Sequence, residues 1–321
     1  MRFIHQNQRR AIQVGIIARC PALLFSLAFF IGPLFIGPLF AQTVQVTLVD
    51  THFTVTDRSG HLVTNLERED FTIFDNGIPQ EIAGFSKKLQ SPLSVALVVD
   101  RSQSVSERFQ FVPEAAASFI KSTMRKQEDR GLVAAFDSKV YLLQDWTADP
   151  ELLIDSVRKL TAAGGTSLFD AVYKTSRDKF KTGDPRKKVL VLITDGEDTT
   201  SRATFKQVLD MAQLSGVTIY VIGIKAEDSL NAHELQGKLV LTELAELTGG
   251  HVFQSKDHQD EKLTALFTRL EGELRNEYKM SYYLDAPLDS TFHKIKIETK
   301  DRRLVVHAPK GFYARRRTEL L

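Results

Sequence analysis

The sequence predicts an α/β fold: a doubly wound, mainly parallel sheet, with a small β unit formed by the N- and C-terminal flanks. Three observations carry this. LSVALVVD (93–100), KKVLVLITD (187–195) and VTIYVIGIK (217–225) are apolar runs without alternation, as in strands buried on both faces. Helical segments separate them, and strands alternating with helices imply a parallel sheet covered on both sides. At both ends of the chain the pattern is instead that of consecutive strands.

The first residues stand apart. Arg2, Arg9, Arg10 and Arg19 precede an uncharged apolar stretch from Ala22 to Phe40, and Ala41-Gln42 offers a place for a signal peptidase to cut. Residues 1–41 therefore read as a signal peptide or a membrane anchor. The run 22–40 approaches the length of a membrane span, which leaves membrane attachment open. Either way the expected location is outside the cytoplasm: periplasmic, cell-surface or secreted. Cys20, the one cysteine, lies in this leader. The remainder then has no disulfide, thiol nucleophile or Cys-ligated zinc.

Residues 42–90 read as an N-terminal β unit. VQVTLVDTHFTV alternates as a strand, and Asn76-Gly77 joins two extended runs in FTIFDNGIPQEIAGF, a hairpin signal. From 91 to 275 the rhythm is that of the α/β core. A helix is expected over about Arg108 to Met124, then RGLVAAFD and KVYLLQDW as neighbouring strands. PELLIDSVRKL is helical, with Asp149 and Pro150 as its start signals. SLFDAVYKTSRDKF, ATFKQVLDMAQLSG, KLVLTELAELTGG and DEKLTALFTRLEGELRNEY are the remaining helices. Residues 276–321 return to strands in YKMSYYLD, FHKIKIETK and RLVVHAP. They are expected to pack with the N-terminal unit, because neither flank alone is large enough for a secure core.

Oxygen-bearing side chains stand at the C-terminal ends of these core strands, where open α/β sheets bind ligands. Asp100, Ser102 and Ser104 follow the first strand, Thr166 lies in AAGGTSLFD, and Asp195 ends KVLVLITD. Alternate residues of an extended segment point the same way, so Asp100, Ser102 and Ser104 can face one ion. Carboxylates and hydroxyls without His or Cys suit a hard divalent cation, Mg²⁺ in the first place, with Mn²⁺ or Ca²⁺ as alternatives. Two carboxylates cannot complete an octahedron, which leaves a position for water or for a partner's acidic group. Singly, each residue has a plainer role: Asp100 and the serines as a cap and turn, Thr166 as a helix start, Asp195-Gly196 as a strand-end turn. The joint pattern favours the ion.

D-x-S-x-S, a downstream Thr in a Gly-rich loop and a later strand ending in T-D-G together resemble the metal-ion-dependent adhesion site of von Willebrand factor type A domains. The resemblance covers roughly Leu93 to Leu274. With both flanks, the chain is similar to the secreted bacterial VWFA-related subgroup described in Acidobacteria. The resemblance implies that Ser102, Ser104 and Thr166 coordinate the metal through their hydroxyls, that Asp100 and Asp195 act directly or through water, and that a partner's Asp or Glu completes the shell. This chain departs from the family in having Gln103 where Gly is usual and Arg101 where Thr is common. Gln103 is expected to narrow the approach to the ion, and Arg101 to attract acidic partners or to pair with Glu197 or Asp198. The strand ending at Asp137 is mostly structural in the family, and Glu197 and Asp198 are expected to be solvated. The Gly164-Gly165 pair is expected to let its loop approach the ion closely. The scattered histidines are expected on the surface or in packing, and Trp146 and the Tyr282-Tyr283 pair in the core.

Function classes follow. A net charge of +2 carries no excess that would argue for nucleic acid, and Arg315, Arg316 and Arg317 form only a short basic tail. The sequence has no G-x-S-x-G, H-E-x-x-H or P-loop, so it is expected not to be an enzyme. The leading expectation is an extracytoplasmic module that recruits an acidic group of a partner protein through its metal site. The alternatives are a metal-dependent hydrolase using the same cluster, and a structural module without bound metal.

Overall fold

A computed structural model describes residues 47–89, 91–181, 184–224, 231–254, 263–285 and 289–314. The expected leader, 1–41, and the basic tail at 315–317 lie outside the described residues. No helix among the described residues is long and apolar enough to cross a membrane.

The described residues open with four strands: β1 (Thr47–Thr56), β2 (Phe71–Asp75), β3 (Ile78–Gln80) and β4 (Gly84–Leu89). Asn76 and Gly77 both take positive φ, 50° and 82°, which makes the tight turn between β2 and β3. Next come β5 (Leu93–Asp100), α1 (Ser106–Phe109) and α2 (Val112–Thr123). The single helix expected from Arg108 to Met124 is broken there. Pro113 lacks an amide hydrogen, and its ring crowds the carbonyl four residues back, so the helix restarts at Val112.

β6 (Arg130–Phe136) and β7 (Val140–Thr147) form an antiparallel pair. They are followed by α3 (Pro150–Arg158), α4 (Leu168–Lys179), β8 (Lys187–Thr194), α5 (Phe205–Ser215) and β9 (Val217–Gly223). α6 (Ala232–Thr248) starts earlier than the apolar pattern suggests, because Asn231 and Glu234 cap it reciprocally. The chain ends with β10 (Val252–Phe253), α7 (Leu263–Arg275), β11 (Glu277–Leu284), β12 (Phe292–Thr299), β13 (Val305–His307) and β14 (Gly311–Tyr313).

A six-stranded sheet runs in the order β10-β9-β8-β5-β6-β7, parallel except for β7. β5 and β8 are its central strands, and alternate residues of β5 serve opposite faces. Val95, Leu97 and Val99 pack with α2 and α7, while Ala96 and Val98 pack with α4 and α6. This is the mixed α/β architecture with a mainly parallel sheet that the apolar runs predicted.

The flanks interleave. One antiparallel sheet has the order β13-β1-β11-β4 and another the order β14-β12-β2-β3. They share a core of Phe53, Val55, Ile73, Tyr278, Met280 and Ile295. Inside it the Tyr282 hydroxyl donates to the Asp75 carboxylate at 2.8 Å, and His293 Nδ1 lies 2.9 Å from the same group. Tyr283 is a correction to the sequence reading: it is 58% exposed. Adjacent strand residues face opposite sides, so only one of the two tyrosines can enter the core.

Buried charge gathers at the N-terminal ends of the central strands. Lys187 pairs with Glu277, and His52 Nδ1 lies 3.5 Å from the same carboxylate. His251 Nε2 lies 3.2 Å from the buried Glu273, and its ring lies tilted against that of His307, with centroids 4.7 Å apart.

Candidate metal centre

Register brings the carboxylates together. In the parallel β5–β8 pair Val99 stands opposite Ile193, so Asp100 and Asp195 leave the sheet at the same edge, one residue apart in height. Both are buried. The Asp100 carboxylate accepts from the Ser102 amide at 2.9 Å and from the Thr194 hydroxyl at 2.7 Å. The Ser102 and Ser104 hydroxyls are 2.9 Å apart. The D-x-S-x-S spacing thus forms a continuous run of oxygens, closed by a short 3-10 turn over Gln103–Val105.

Backbone bonds tie Thr166 in. The Gln103 amide donates to the Gly164 carbonyl at 3.0 Å, and the Ala163 amide to the Arg101 carbonyl at 2.6 Å. On its other side, the Thr166 carbonyl accepts the amides of Thr199 and Thr200, both at 2.9 Å. Three loops, from 101–104, 163–166 and 195–200, are therefore cross-linked around one spot, and each carries part of the predicted donor set. Gly164 has φ +76°, and a Cβ there would press on Asp137 at 3.2 Å. Glycine is needed for this approach.

Among the described residues no cluster of three or more His, Cys, Asp or Glu has the form of a metal site. A donor set of two carboxylates and three hydroxyls does not depend on such a cluster. Its chemistry fits a hard divalent cation, since every donor is oxygen. Its electrostatics fit as well. Burial pushes Asp100 up to about 7, and the neighbouring Asp195 charge adds to this against hydrogen bonds from Ser102 and Thr194. A cation between the two carboxylates would relieve both effects.

The surroundings differ from the sequence reading in two places. Arg101 pairs with neither Glu197 nor Asp198: its Nε lies 3.2 Å from the Asp137 carboxylate, and its guanidinium rests over the Tyr141 ring. The return of the chain in the β6–β7 hairpin brings Asp137 close. Glu197 and Asp198 are half-buried rather than solvated. Asp198 accepts from the Leu168 amide at 2.9 Å and the Ser201 hydroxyl at 2.6 Å, so it caps α4 from another loop. Ser167, at the cap position itself, makes no such side-chain bond. Gln103 is exposed beside the site.

The sequence reading missed Thr194 and Gly237. Thr194 is legible once β5 and β8 are set in parallel register, which puts its hydroxyl beside Asp100. Gly237 packs against the Asp195-Gly196 turn so closely that a Cβ would lie 2.0 Å from the Gly196 carbonyl oxygen. The apolar helical pattern begins only at Lys238, so nothing in the sequence marked Gly237.

The chain is similar to calcium-activated chloride channel regulator 1 of Mus musculus, 28% identical over 187 residues, covering 55% of this chain and 18% of that protein. It is also similar to regulator 3A-1 of the same species, 26% identical over 250 residues, covering 68% of this chain and 25% of that protein. The chain thus spans a quarter or less of the length of these relatives. Among solved structures, the vWF domain of the type V pili tip protein Mfa5 from Porphyromonas gingivalis aligns with TM-score 0.46 and 16% identity, covering 57% of this chain and 95% of that one. BatB from Bacteroides thetaiotaomicron aligns with TM-score 0.43 and 12% identity, covering 56% and 98%. The family model of the von Willebrand factor type A domain matches residues 94–269, the stretch that holds all five oxygen donors and most of the six-stranded sheet. The chain belongs to the von Willebrand factor type A domain family.

Proposed function

We propose that this protein is an extracytoplasmic binding module that recruits an acidic group of a partner protein through a divalent cation, with Mg²⁺ the first choice and Mn²⁺ or Ca²⁺ the alternatives. Domains of this family typically mediate protein–protein interaction. The observation that carries the finer reading is the convergence of Asp100 and Asp195, two buried carboxylates at adjacent strand ends, with the hydroxyl run of Ser102 and Ser104. Asp100, Ser102, Ser104, Thr166 and Asp195 would hold the cation. When bound, it supplies a coordination position for a partner's Asp or Glu. The Ser102 and Ser104 hydroxyls hydrogen-bond each other and would be tied up as ligands of the cation, which supports binding over turnover. The arginine-led apolar leader at 1–41 supports placement outside the cytoplasm, with membrane attachment through 22–40 if it is retained.

Titration calorimetry with MgCl₂ on the purified protein tests this. One site per chain is expected, lost in Asp100→Ala while circular dichroism shows the fold retained. An unchanged isotherm in that variant would sink the assignment. Hydrolysis of ester or phosphate substrates, abolished by Ser104→Ala with metal still bound, would favour the hydrolase instead.

A further inference from the structure

We infer that the cleft where the flank sheets meet the N-terminal ends of β8 and β9 binds a small organic carboxylate with a short apolar body. The cleft has a volume of about 330 Å³, enough for a small ligand. It lies at the opposite end of the central sheet from Asp100 and Asp195. Its walls come from both parts of the chain. Lys187 and Lys188 begin β8, Val217 begins β9, and Thr51, Ile295 and Phe312 belong to β1, β12 and β14. The C-terminal turns of α5 and α6 line it through Gln213 and Leu247.

The charge balance of the walls selects the ligand. Lys187 pairs with Glu277, and His52 Nδ1 lies 3.5 Å from the same carboxylate. The Asp50 carboxylate is taken by Lys279 and the Ser281 hydroxyl. Asp184 alone serves two guanidiniums, those of Arg130 and Arg186. Lys188 has no carboxylate within ion-pair reach among the described residues. Its Nζ donates to the Ser215 carbonyl at 2.9 Å, which meets the end of α5 and uses one of an ammonium's three donors. The end of α6 is met as well, since the Leu247 carbonyl accepts from Gln213 at 3.4 Å and from the Lys310 amide at 3.3 Å. The cleft thus carries more positive charge than the carboxylates around it balance. Burial lowers the pKa of Lys188 against the pull of Asp184, so this ammonium has given up water without gaining a counter-ion. The Thr51 hydroxyl is buried and makes no hydrogen bond, a second group awaiting a partner. A ligand carboxylate supplies what both lack, and Val217, Ile295 and Phe312 suit an apolar body behind it.

The probe is sodium hexanoate, with hexanol and hexylammonium as controls, followed by saturation-transfer NMR on the purified protein. Buffer stripped of divalent metal by a chelating resin keeps the metal centre from taking the carboxylate. Hexanoate should bind saturably with a Kd of about 1 mM, hexanol about tenfold more weakly, and hexylammonium not measurably. Lys188→Met should lower hexanoate affinity to that of hexanol, leave hexanol unchanged and retain the circular dichroism of the parent. Arg186→Gln should weaken hexanoate about threefold, and it carries the same test if Lys188→Met melts early. Asp100→Ala should leave hexanoate affinity unchanged; a loss there would place the carboxylate at the metal centre and overturn the site. Hexanoate binding that ignores both Lys188→Met and Arg186→Gln, or hexanol binding as tight as hexanoate, would overturn it too. So would the absence of saturable hexanoate binding below about 10 mM. Equal loss of hexanol and hexanoate in Lys188→Met would show a collapsed wall and overturn the selection by charge.

Discussion

The Thr194 hydroxyl donates to the Asp100 carboxylate at 2.7 Å and accepts from the Gly196 amide at 3.1 Å. One side chain at the end of β8 thus fixes the carboxylate that ends β5 and the turn that follows Asp195. Thr194→Val keeps the shape and removes the hydroxyl, leaving a buried carboxylate oxygen and a buried amide without it. The expected loss of stability is about 1–3 kcal/mol by thermal unfolding in EDTA. The Mg²⁺ affinity should fall by roughly 10-fold or more in calorimetry, as for other groups that orient a ligand.

Gly237 reverses an ordinary rule. Glycine to alanine within a helix usually raises stability by about 1 kcal/mol. At Gly237 the new Cβ would meet the Gly196 carbonyl oxygen at 2.0 Å, backbone against backbone. Gly237→Ala is therefore expected to lower stability by about 1–3 kcal/mol. Because Gly196 follows Asp195, Mg²⁺ binding should weaken in the same variant. A melting curve with and without MgCl₂ reads both effects.

Asp198 serves α4 rather than the ion. Its carboxylate meets the first amides of that helix and the Ser201 hydroxyl. Asp198→Ala should cost about 1 kcal/mol in denaturant unfolding, the usual effect of losing a cap. Asp198→Asn should recover most of it, since the acceptor oxygen returns. A change in Mg²⁺ affinity larger than the change in stability would show instead that the carboxylate acts at the metal centre.

Four buried groups give the metal-free protein a stability maximum in pH. Burial pushes Glu273 up from 4.5 to about 8, with the Glu277 charge adding to it and Lys187 and Arg269 opposing. Between those values the folded state holds a proton that the unfolded chain has released. Stability contributed by this group therefore falls as pH rises to about 8. Burial pushes His251 down from 6.5 to about 3 and His307 down to about 4. Below 6.5 the unfolded chain takes up protons that these two refuse, so stability falls again as pH drops. Asp100, pushed up to about 7 in the metal-free protein, adds its own loss of stability as pH rises to that value, so stability declines from about 6.5 to 8 and falls again in acid. Glu273→Gln should remove the part of the decline between about 7 and 8 and keep the acid limb, as read from melting temperature against pH.

The sequence made some of this legible and not the rest, for physical reasons. Continuous apolar strands such as LSVALVVD announce burial on both faces, so the central sheet follows from periodicity alone. β4, β10 and β14 escape, because six, two and three residues leave too short a pattern to read. At the candidate metal centre Asp100, Ser102, Ser104 and Asp195 stand at or just past strand ends, where local spacing already brings them close, while Thr166 comes from the loop between α3 and α4. What surrounds them is set by long-range approach. Asp137 reaches Arg101, and Asp198 reaches Leu168, across about 30 residues or more of chain. Nothing in either local segment records the meeting.

The interleaved flanks also bear on the order in which a growing chain can settle. β1 finds its partners in β11 and β13, more than 220 residues downstream, counting from Thr56 to Glu277. As the polypeptide emerges, the central sheet can complete itself while β1 and β2 still wait with open edges. Those edges close only when β11 and β12 have been made. A prematurely terminated product would thus display an adhesive strand with no mate, a visible mark of incompleteness to any protease or chaperone that patrols its compartment.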